Sequence, residues 1–343
     1  MRAIGYLTPG PVDRPDALID LNLPRPEPEG HDILVAVEAV SVNPVDTKVR
    51  SGSGPLSGAD HRILGWDAAG TVVAVGQSAE RFRVGDKVFY AGSIDRDGSN
   101  AQYQLVDERI VGRKPESLDW AQSAALPLTS ITAWEALFDR LRVRDAVPGA
   151  GNAILIVGGA GGVGSIAIQI ARVLTDLTVI ATASRPETYE WVRGLGAHHV
   201  LDHSQPLAAQ VAALGIAAPA FVFSTTHTDR HLGEIAELIA PQGRFALIDD
   251  PATLDVNGLK RKAVSVHWEF MFTRPLFGTP DIGEQGKLLD AVAALVDDGR
   301  IATTLTETLS PINAANLIAA HRQIESATTR GKIVLQGWEQ DHD

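Results

Sequence analysis

The stretch AILIVGGAGGVGSIAIQIARVL, residues 153–174, determines the fold of this chain. Its apolar start is typical of a buried strand, and its apolar positions after Ser165 recur with the spacing of a helix. Between the two, Gly159, Gly161 and Gly164 fit the pattern G-x-G-x-x-G. A glycine loop at this junction lets backbone amides approach a phosphate, which the N-terminus of the helix also favours. The stretch therefore predicts a dinucleotide-binding unit. The loop residues expected to contact the dinucleotide are Gly159, Ala160, Gly161, Gly162, Val163 and Gly164.

The end of the next predicted strand, residues 178–183, indicates which dinucleotide is bound. A site for the ribose hydroxyls of NAD would place Asp or Glu about 20 residues after the loop. Ser184 occupies that position and Arg185 follows it. Because a guanidinium suits the oxygens of a 2′-phosphate, we expect NADPH rather than NADH, bound in part by Ser184 and Arg185. The alternative is that Arg185 is a solvated loop residue.

The flanking sequence predicts two domains of an α/β protein. Before residue 126, short apolar runs such as DILVAVEAVSV (32–42) and GTVVAV (70–75) are separated by Gly and Pro, which favours a β-rich domain. After the glycine loop, apolar runs alternate with helical segments as far as KAVSVHW (262–268), which favours a doubly wound parallel sheet. We expect residues 126–271 to form the dinucleotide-binding domain, and residues 1–125 and 272–343 to form the other.

Composition excludes several classes of function. The 343 residues carry a net charge of −12, which disfavours general binding to nucleic acid. The chain has no cysteine, so disulfides, iron–sulfur clusters and thiolate zinc sites are excluded. The first 20 residues lack a basic segment followed by an apolar run, and glycines interrupt the most apolar stretch. We therefore expect a cytoplasmic protein with neither a nucleic-acid nor a membrane partner.

Further stretches resemble the medium-chain dehydrogenase/reductase superfamily. They are SVNPVDTKVRSG (41–52), LGWDAAGTV (64–72), VGDKV (84–88), SITAWEAL (130–137) and the glycine loop. RFALIDDP (244–251) and HWEFMF (267–272) resemble the zinc-type alcohol dehydrogenase-like branch, which is close to the quinone oxidoreductases. The resemblance covers essentially the whole chain. It implies a GroES-like catalytic domain beside a Rossmann domain, and often a homodimer through the last Rossmann strand.

The chain departs from this family where the zinc ligands would be. Asn43 stands where the first ligand cysteine is expected, and Trp66 and Asp67 replace the usual His-Glu pair. We therefore expect no zinc, and a zinc-binding label would come from the relatives of this fold. Neighbouring His198 and His199 would point to opposite faces of a strand, so metal binding there is the less favoured interpretation. Metal binding is also the less favoured interpretation for His227 and His231, because their position after a predicted Rossmann strand favours a role at the rim of the cofactor site.

Without zinc, the less demanding reaction is reduction of a double bond conjugated to a carbonyl, because hydrogen-bond donors suffice to stabilise the enolate. We therefore expect NADPH-dependent hydride transfer to the β-carbon of an enone or enal, or to a quinone. One alternative is a zinc-free alcohol or aldehyde oxidoreductase with a side-chain proton relay. Another, from a different class, is a non-catalytic NADPH-binding sensor or structural protein.

The resemblance and the strand ends together predict the site, in a crevice between the two domains. Asn43 would donate its amide to the substrate carbonyl from a loop that Asp46 orients. Asp67 is either a proton relay or the partner of a base, whereas Trp66 and Tyr90 are either donors or core residues. The candidate catalytic residues are Asn43, Asp46, Trp66, Asp67, Tyr90 and Glu269. Further cofactor contacts are expected from Thr132, Ser224, Thr225, Ile248, Asp249, Phe270 and Phe272.

Overall fold

The structure, a computed structural model, describes residues 1–339. The chain divides into two compact units. Met1–Ile131 and the chain from Phe272 onward form the first, called here the β-rich unit. Thr132–Met271 form the second, called here the α/β unit.

Residues 1–339 contain sixteen strands and ten α-helices. The strands are β1 Arg2–Tyr6, β2 Ile19–Asn22, β3 Asp32–Val42, β4 Arg62–Ile63, β5 Ala68–Val75, β6 Lys87–Tyr90, β7 Tyr103–Asp107, β8 Val111–Arg113, β9 Gly151–Val157, β10 Thr178–Thr182, β11 His199–Leu201, β12 Pro219–Ser224, β13 Arg244–Leu247, β14 Ser265–Trp268, β15 Leu305–Leu309 and β16 Lys332–Gln336. The helices are α1 Pro44–Gly52, α2 Trp120–Ala124, α3 Pro127–Trp134, α4 Gly162–Leu174, α5 Pro186–Gly194, α6 Leu207–Ala213, α7 Thr228–Leu238, α8 Thr273–Phe277, α9 Glu284–Asp297 and α10 Ala314–Glu325.

The β-rich unit is organised around β3, whose alternating and largely apolar sequence is buried along most of its length. Its main sheet has the strand order β15-β16-β3-β5-β6-β8, and β7 also pairs with β3. A smaller sheet has the order β2-β1-β4. β16 is antiparallel to β3 with Ile333 opposite Val42, and β5 pairs with β3 with Ala68 opposite Val40. This register brings the start of β16 and the start of β5 to the end of β3.

The α/β unit is a parallel sheet with the strand order β11-β10-β9-β12-β13-β14. Its core is a cluster of apolar side chains that includes Leu155, Ile180, Val222 and Phe245, each 0% exposed. The strand order reverses between β9 and β12, and open parallel sheets bind their ligands outside the carboxyl ends of the strands at such a point. The glycine loop follows β9, so it lies at that point of the sheet.

Two local predictions differ from the structure. The segment predicted as a loop around Asn43 and Asp46 is helix α1, because Pro44 suits the first turn and Asn43 serves as its N-cap. The run 262–268 becomes a strand only at Ser265. A 3₁₀ segment, Val256–Lys262, precedes it, and Ala263 has a left-handed φ of 50°, which interrupts extended structure.

Within residues 1–339, no helix combines the length and the apolar character that crossing a bilayer requires.

Candidate active site

The glycines of the phosphate loop have different structural roles. A Cβ on Gly164 would lie 2.2 Å from the carbonyl oxygen of Gly158, so helix α4 could not pack against the loop. A Cβ on Gly159 would lie 3.0 Å from Cβ of Ala181 in β10. At Gly161 the nearest neighbour would be the Gly158 carbonyl oxygen, 3.6 Å away. Packing thus requires glycine at Gly164 and leaves little room at Gly159, whereas Gly161 leaves open space at the N-cap of α4.

This arrangement fits a dinucleotide pyrophosphate. Helix α4 begins at Gly162 and runs for 13 residues, so its first amides and its dipole favour an anion at the loop. The loop is tied to the neighbouring strand, because Gly159 N donates to Thr182 O at 3.0 Å and Gly158 N donates to Thr182 Oγ1 at 3.0 Å. The predicted loop residues therefore form a fixed cradle.

The residues predicted to recognise the 2′-phosphate follow β10. Ser184 is exposed, and Arg185 precedes helix α5. Nε of Arg185 lies 3.3 Å from Oε1 of Glu187 in the first turn of that helix. The sequence prediction considered no carboxylate at this point. The structure places one beside the arginine, which bears directly on the choice between NADPH and NADH.

Two predicted residues at the ends of β12 and β13, Ser224 and Asp249, are connected through hydrogen bonds to Thr228. Ser224 Oγ lies 2.8 Å from Oγ1 of Thr228, and Thr228 N donates to Asp249 Oδ2 at 2.9 Å. Thr225 Oγ1 donates to the carbonyl of Val157, at the end of β9, at 2.9 Å. These contacts hold the carboxyl ends of three adjacent strands in register. Ile248 is half-buried directly after β13.

The remaining predicted cofactor contacts divide between the two units. Thr132 and Phe270 belong to the α/β unit, where Thr132 is buried and Phe270 is 46% exposed. Phe272 belongs to the β-rich unit and is buried. It packs edge-on against Trp66, with 5.8 Å between ring centroids. In the described structure Phe272 is thus a core aromatic residue of its own unit.

A buried polar network centred on Asp67 occupies the β-rich unit. Asn43 Nδ2 donates to Asp67 Oδ2 at 2.8 Å, and Nζ of Lys332 donates to the same oxygen at 2.9 Å. Leu128 N donates to Asp67 Oδ1 at 2.7 Å. Lys332 also donates to Oδ1 of Asn43 and, at 3.2 Å, to the carbonyl of Val42. Sequence reasoning did not single out Lys332, although a lysine that opens the apolar strand KIVLQ was a usable signal.

The network leaves few donors for a substrate. Asn43 is 1% exposed, and its amide contacts Asp67, the Ser41 carbonyl and Lys332. The Lys332 ammonium has three acceptors for its three hydrogens. This geometry favours a positioning role for Asn43 over the expected donation to a substrate carbonyl. Asp67 is paired with a basic side chain, Lys332.

Asp46 supports the same region from helix α1. Its carboxylate accepts from Asn43 N at 2.8 Å and from Gly65 N at 3.0 Å, so it links the start of α1 to the segment before β5. Burial raises the pKa of Asp46 to about 7. Burial also raises the pKa of Asp67, and the Lys332 ammonium opposes that shift. Asp46 thus contacts the backbone on both sides of this region.

The two aromatic candidates are core side chains. Trp66 is 1% exposed, and its indole Nε1 donates to Ser93 O at 3.1 Å. Tyr90 is also 1% exposed, and its hydroxyl has no hydrogen-bond partner within residues 1–339. Burial raises the pKa of Tyr90, so the phenol stays protonated. Of these two residues, only Tyr90 retains an unused polar group.

The last catalytic candidate, Glu269, belongs to a buried cluster in the α/β unit. Arg140 Nε donates to Glu269 Oε2 at 2.8 Å, and the carboxyl of Glu269 is hydrogen-bonded to that of Glu135. Glu135 and Arg140 lie on a π-helical segment, Glu135–Arg140, a conformation often found at functional sites. Burial and the Glu135 charge raise the pKa of Glu269 to about 9. Burial beside Glu135 thus favours the protonated form of Glu269.

Two family models match the chain. The model of the alcohol dehydrogenase GroES-like domain matches residues 29–116, and that of the zinc-binding dehydrogenase matches residues 195–335. A zinc-type alcohol dehydrogenase-like protein of Staphylococcus aureus (strain MSSA476) is 40% identical over 98% of this chain and 99% of its own length. The human quinone oxidoreductase is 32% identical over 68% of each chain.

Solved structures share the whole architecture. A protein of Rhizobium etli CFN 42, provisionally described as a zinc-dependent alcohol dehydrogenase, is 67% identical over 99% of both chains, with a TM-score of 0.98. A mycobacterial protein complexed with NADPH is 26% identical over 98% of this chain and 100% of its own, with a TM-score of 0.81.

Fold, glycine loop and relatives together define an oxidoreductase with a Rossmann unit for a nicotinamide cofactor. The chain belongs to the medium-chain dehydrogenase/reductase superfamily, in the branch that contains zinc-type alcohol dehydrogenase-like proteins and quinone oxidoreductases. The family resemblance and the fold class predicted from sequence are confirmed.

Proposed function

We propose that this protein is a zinc-independent, NADPH-dependent reductase of α,β-unsaturated carbonyl compounds or quinones. The observation that carries the proposal is the buried ammonium of Lys332, 2.9 Å from Asp67 Oδ2. The ammonium contacts Asn43 and Asp67, two positions at which the resemblance leads one to expect metal ligands. Its positive charge changes what these two residues are able to bind.

The residues of the network do not fit zinc. Asp67 already accepts hydrogen bonds from Asn43, Leu128 and Lys332, so both carboxylate oxygens are in use. A divalent cation bound to Asp67 would lie beside the Lys332 ammonium, and two cations this close repel strongly in a buried site. Thiolate ligands, which the family's zinc enzymes use, are absent from a sequence without cysteine.

The α/β unit fits a nicotinamide dinucleotide. The loop Gly159–Gly164 and the N-terminus of α4 would hold the pyrophosphate, and Ser184 and Arg185 the 2′-phosphate. Bound NADPH supplies a hydride and its electron pair. In the proposed reaction the hydride goes to the β-carbon, the double-bond electrons move onto the carbonyl oxygen, and a proton from water then reaches the α-carbon. With a quinone, the hydride supplies two electrons and one hydrogen and water supplies one proton, so that both carbonyl oxygens become hydroxyls.

The chain's own residues would have complementary roles in this reaction. The Lys332–Asp67–Asn43 network would fix the end of β3, the start of α1 and the start of β5. Tyr90 keeps an unused hydroxyl, but it is a core side chain that is 1% exposed, so we assign no substrate contact to it. Glu269, protonated and paired with Arg140, would position the segment after β14.

Two of the relatives support reduction with NADPH, while the Staphylococcus aureus and Rhizobium etli proteins carry alcohol dehydrogenase names. The human relative is named for quinone reduction, and the mycobacterial structure contains NADPH. Both names describe those proteins, and the proposal extends their chemistry to this chain.

A substrate panel tests the proposal. Purified protein would be incubated with NADPH and, separately, with NADH, in the presence of enones, enals, quinones, saturated aldehydes and ketones, and the products would be analysed by mass spectrometry. Reduction of the carbon–carbon double bond or of the quinone is expected, unchanged after dialysis against a chelator. Carbonyl reduction with the double bond intact, or activity that depends on added zinc, would contradict the proposal.

We further propose that the protein acts as a cytoplasmic homodimer joined through β14. This strand is at the edge of the parallel sheet, and Trp268 at its end is 57% exposed. An unpaired edge strand is a ready surface for pairing with a second copy. Sedimentation equilibrium tests the oligomeric state, and a monomer at micromolar concentration would exclude the dimer.

A further inference from the structure

We infer that His203 is a specificity residue for the coenzyme, and that it binds the 2′-phosphate together with Arg185 by taking up a proton. The inference rests on the proposed preference for NADPH and adds a residue that is not among the predicted cofactor contacts. It concerns the end of the dinucleotide remote from the hydride.

The topology places His203 at the correct edge of the sheet. β11, β10 and β9 are adjacent and parallel, so their carboxyl ends lie side by side. The glycine loop follows β9, Arg185 comes three residues after the end of β10, and His203 comes two residues after the end of β11. The imidazole therefore belongs to the same row of strand ends as the phosphate loop.

Hydrogen bonds connect His203 to the phosphate loop. Nδ1 of His203 lies 3.2 Å from Oγ1 of Thr182, and the same hydroxyl oxygen accepts from Gly158 N at 3.0 Å. The bond to Nδ1 fixes the ring orientation and leaves Nε2 as the nitrogen for a ligand. The ring is also held by an edge-to-face contact with His231, at 6.2 Å between centroids.

The charges around His203 make its protonation depend on an anion. The positive charges of Arg185 and His227 disfavour protonation of His203, and the negative charge of Asp202 favours it. The protonation of His231, which packs on the His203 ring, is in turn influenced by Arg230 and Asp229. Burial lowers the pKa of both His203 and His231, so both rings are neutral near pH 7 when the site has no anion. A 2′-phosphate carries up to two negative charges and would reverse this balance, because an opposite charge favours the protonated ring.

The consequence is a coenzyme preference that depends on pH. NADPH binding would proceed with proton uptake at His203 and would strengthen as the pH falls. NADH lacks the 2′-phosphate, so its affinity would change little over the same range. The phosphate itself titrates near pH 6, and the pH dependence that remains in a histidine variant measures this contribution.

The test compares the wild type with His203→Gln and, as a control, with His61→Gln, which alters a histidine of the β-rich unit. Dissociation constants for NADPH and NADH would be measured by fluorescence between pH 6 and 8, with calorimetry in two buffers of different ionisation enthalpy to count protons. For the wild type we expect the NADPH affinity to fall about tenfold over this range, with proton uptake near pH 7. We expect His203→Gln to weaken NADPH binding at pH 6, to flatten the pH dependence and to abolish the excess proton uptake, while His61→Gln behaves like the wild type.

Two contrary outcomes are distinguishable. If NADPH is preferred but His203→Gln and the wild type share the same pH dependence and the same proton uptake, this inference fails and the proposed function stands. If the wild type prefers NADH at every pH, the proposed coenzyme is wrong and the inference fails with it. Because the readout is binding, neither outcome depends on knowing the substrate.

Discussion

Nε of Arg185 lies 3.3 Å from Oε1 of Glu187, so the side chain assigned to the 2′-phosphate already has a carboxylate partner. Both side chains are substantially exposed, at 42% and 54%, so the pair itself adds little to stability. Its importance is for coenzyme selection, because a 2′-phosphate and the Glu187 carboxylate compete for the same guanidinium.

The first prediction follows from this competition. Arg185→Ala should raise the dissociation constant for NADPH about tenfold or more and leave that for NADH nearly unchanged, since a charge-assisted hydrogen bond is lost. Glu187→Gln should have the opposite effect and tighten NADPH binding severalfold. Fluorescence titrations with both coenzymes measure these changes. Equal losses for the two coenzymes in Arg185→Ala would remove the phosphate role.

The second prediction concerns the buried ion pair. Lys332→Met leaves the Asp67 carboxylate buried without its ammonium, and we expect a loss of about 3 to 5 kcal/mol in the free energy of unfolding. The double variant Asp67→Asn/Lys332→Met removes both charges and should recover a large part of that loss. Urea unfolding of the two variants and the wild type provides the comparison. A double variant as unstable as the single one would show that the pair is not coupled.

The third prediction separates two glycines of one loop. Gly161→Val should abolish binding of both coenzymes, because its side chain occupies the space that the pyrophosphate needs. The folded state should be reduced in stability by only about 1 kcal/mol, the usual effect of a poorer N-cap. Gly164→Ala should instead lower the melting temperature clearly, because its Cβ would lie 2.2 Å from the Gly158 carbonyl oxygen. Retained coenzyme affinity in Gly161→Val would contradict the loop assignment.

The fourth prediction uses the raised pKa of Glu269. A carboxyl with an ordinary pKa of 4.5 in the unfolded chain and about 9 in the folded protein binds more protons when folded, so its contribution to stability is complete below pH 4.5 and is lost as the pH rises toward 9. Glu269→Gln mimics the protonated acid and has no such loss. Relative to the wild type, the variant should therefore become more stable as the pH increases from 5.5 to 8.5. Urea unfolding at both pH values checks this, and a constant difference between the two proteins would mean that Glu269 ionises normally.

Local patterns were sufficient to predict the elements around the glycine loop. The apolar run of β9, the glycines and the apolar helix α4 are contiguous, so strand, turn and helix could be read from about 20 residues. The long alternating strand β3 was equally clear, and the structure gives it the predicted bounds. Helix α1 was missed because its Asn-Pro start is also a common turn signal.

Contacts between distant residues could not be predicted in this way. Lys332 reaches Asp67 only because β16 pairs with β3 in one particular register, and no local pattern of apolar residues encodes that pairing. Glu187 was overlooked for a different reason. The search for a carboxylate was made about 20 residues after the glycine loop, at Ser184, whereas Glu187 comes three residues later and the first turn of α5 brings its carboxylate back to Arg185. Glu135 and Glu269 likewise meet only in the folded α/β unit.

The separation of Lys332 from Asp67 along the chain, 265 residues, has a consequence for biosynthesis. A ribosome must translate the entire α/β unit before Lys332 emerges. Until then, Asp67 and Asn43 lack the ammonium to which they are hydrogen-bonded in the folded protein. A product that ends between residues 272 and 331 would contain the whole α/β unit and an unfinished β-rich unit, so we expect it to bind coenzyme without turning it over.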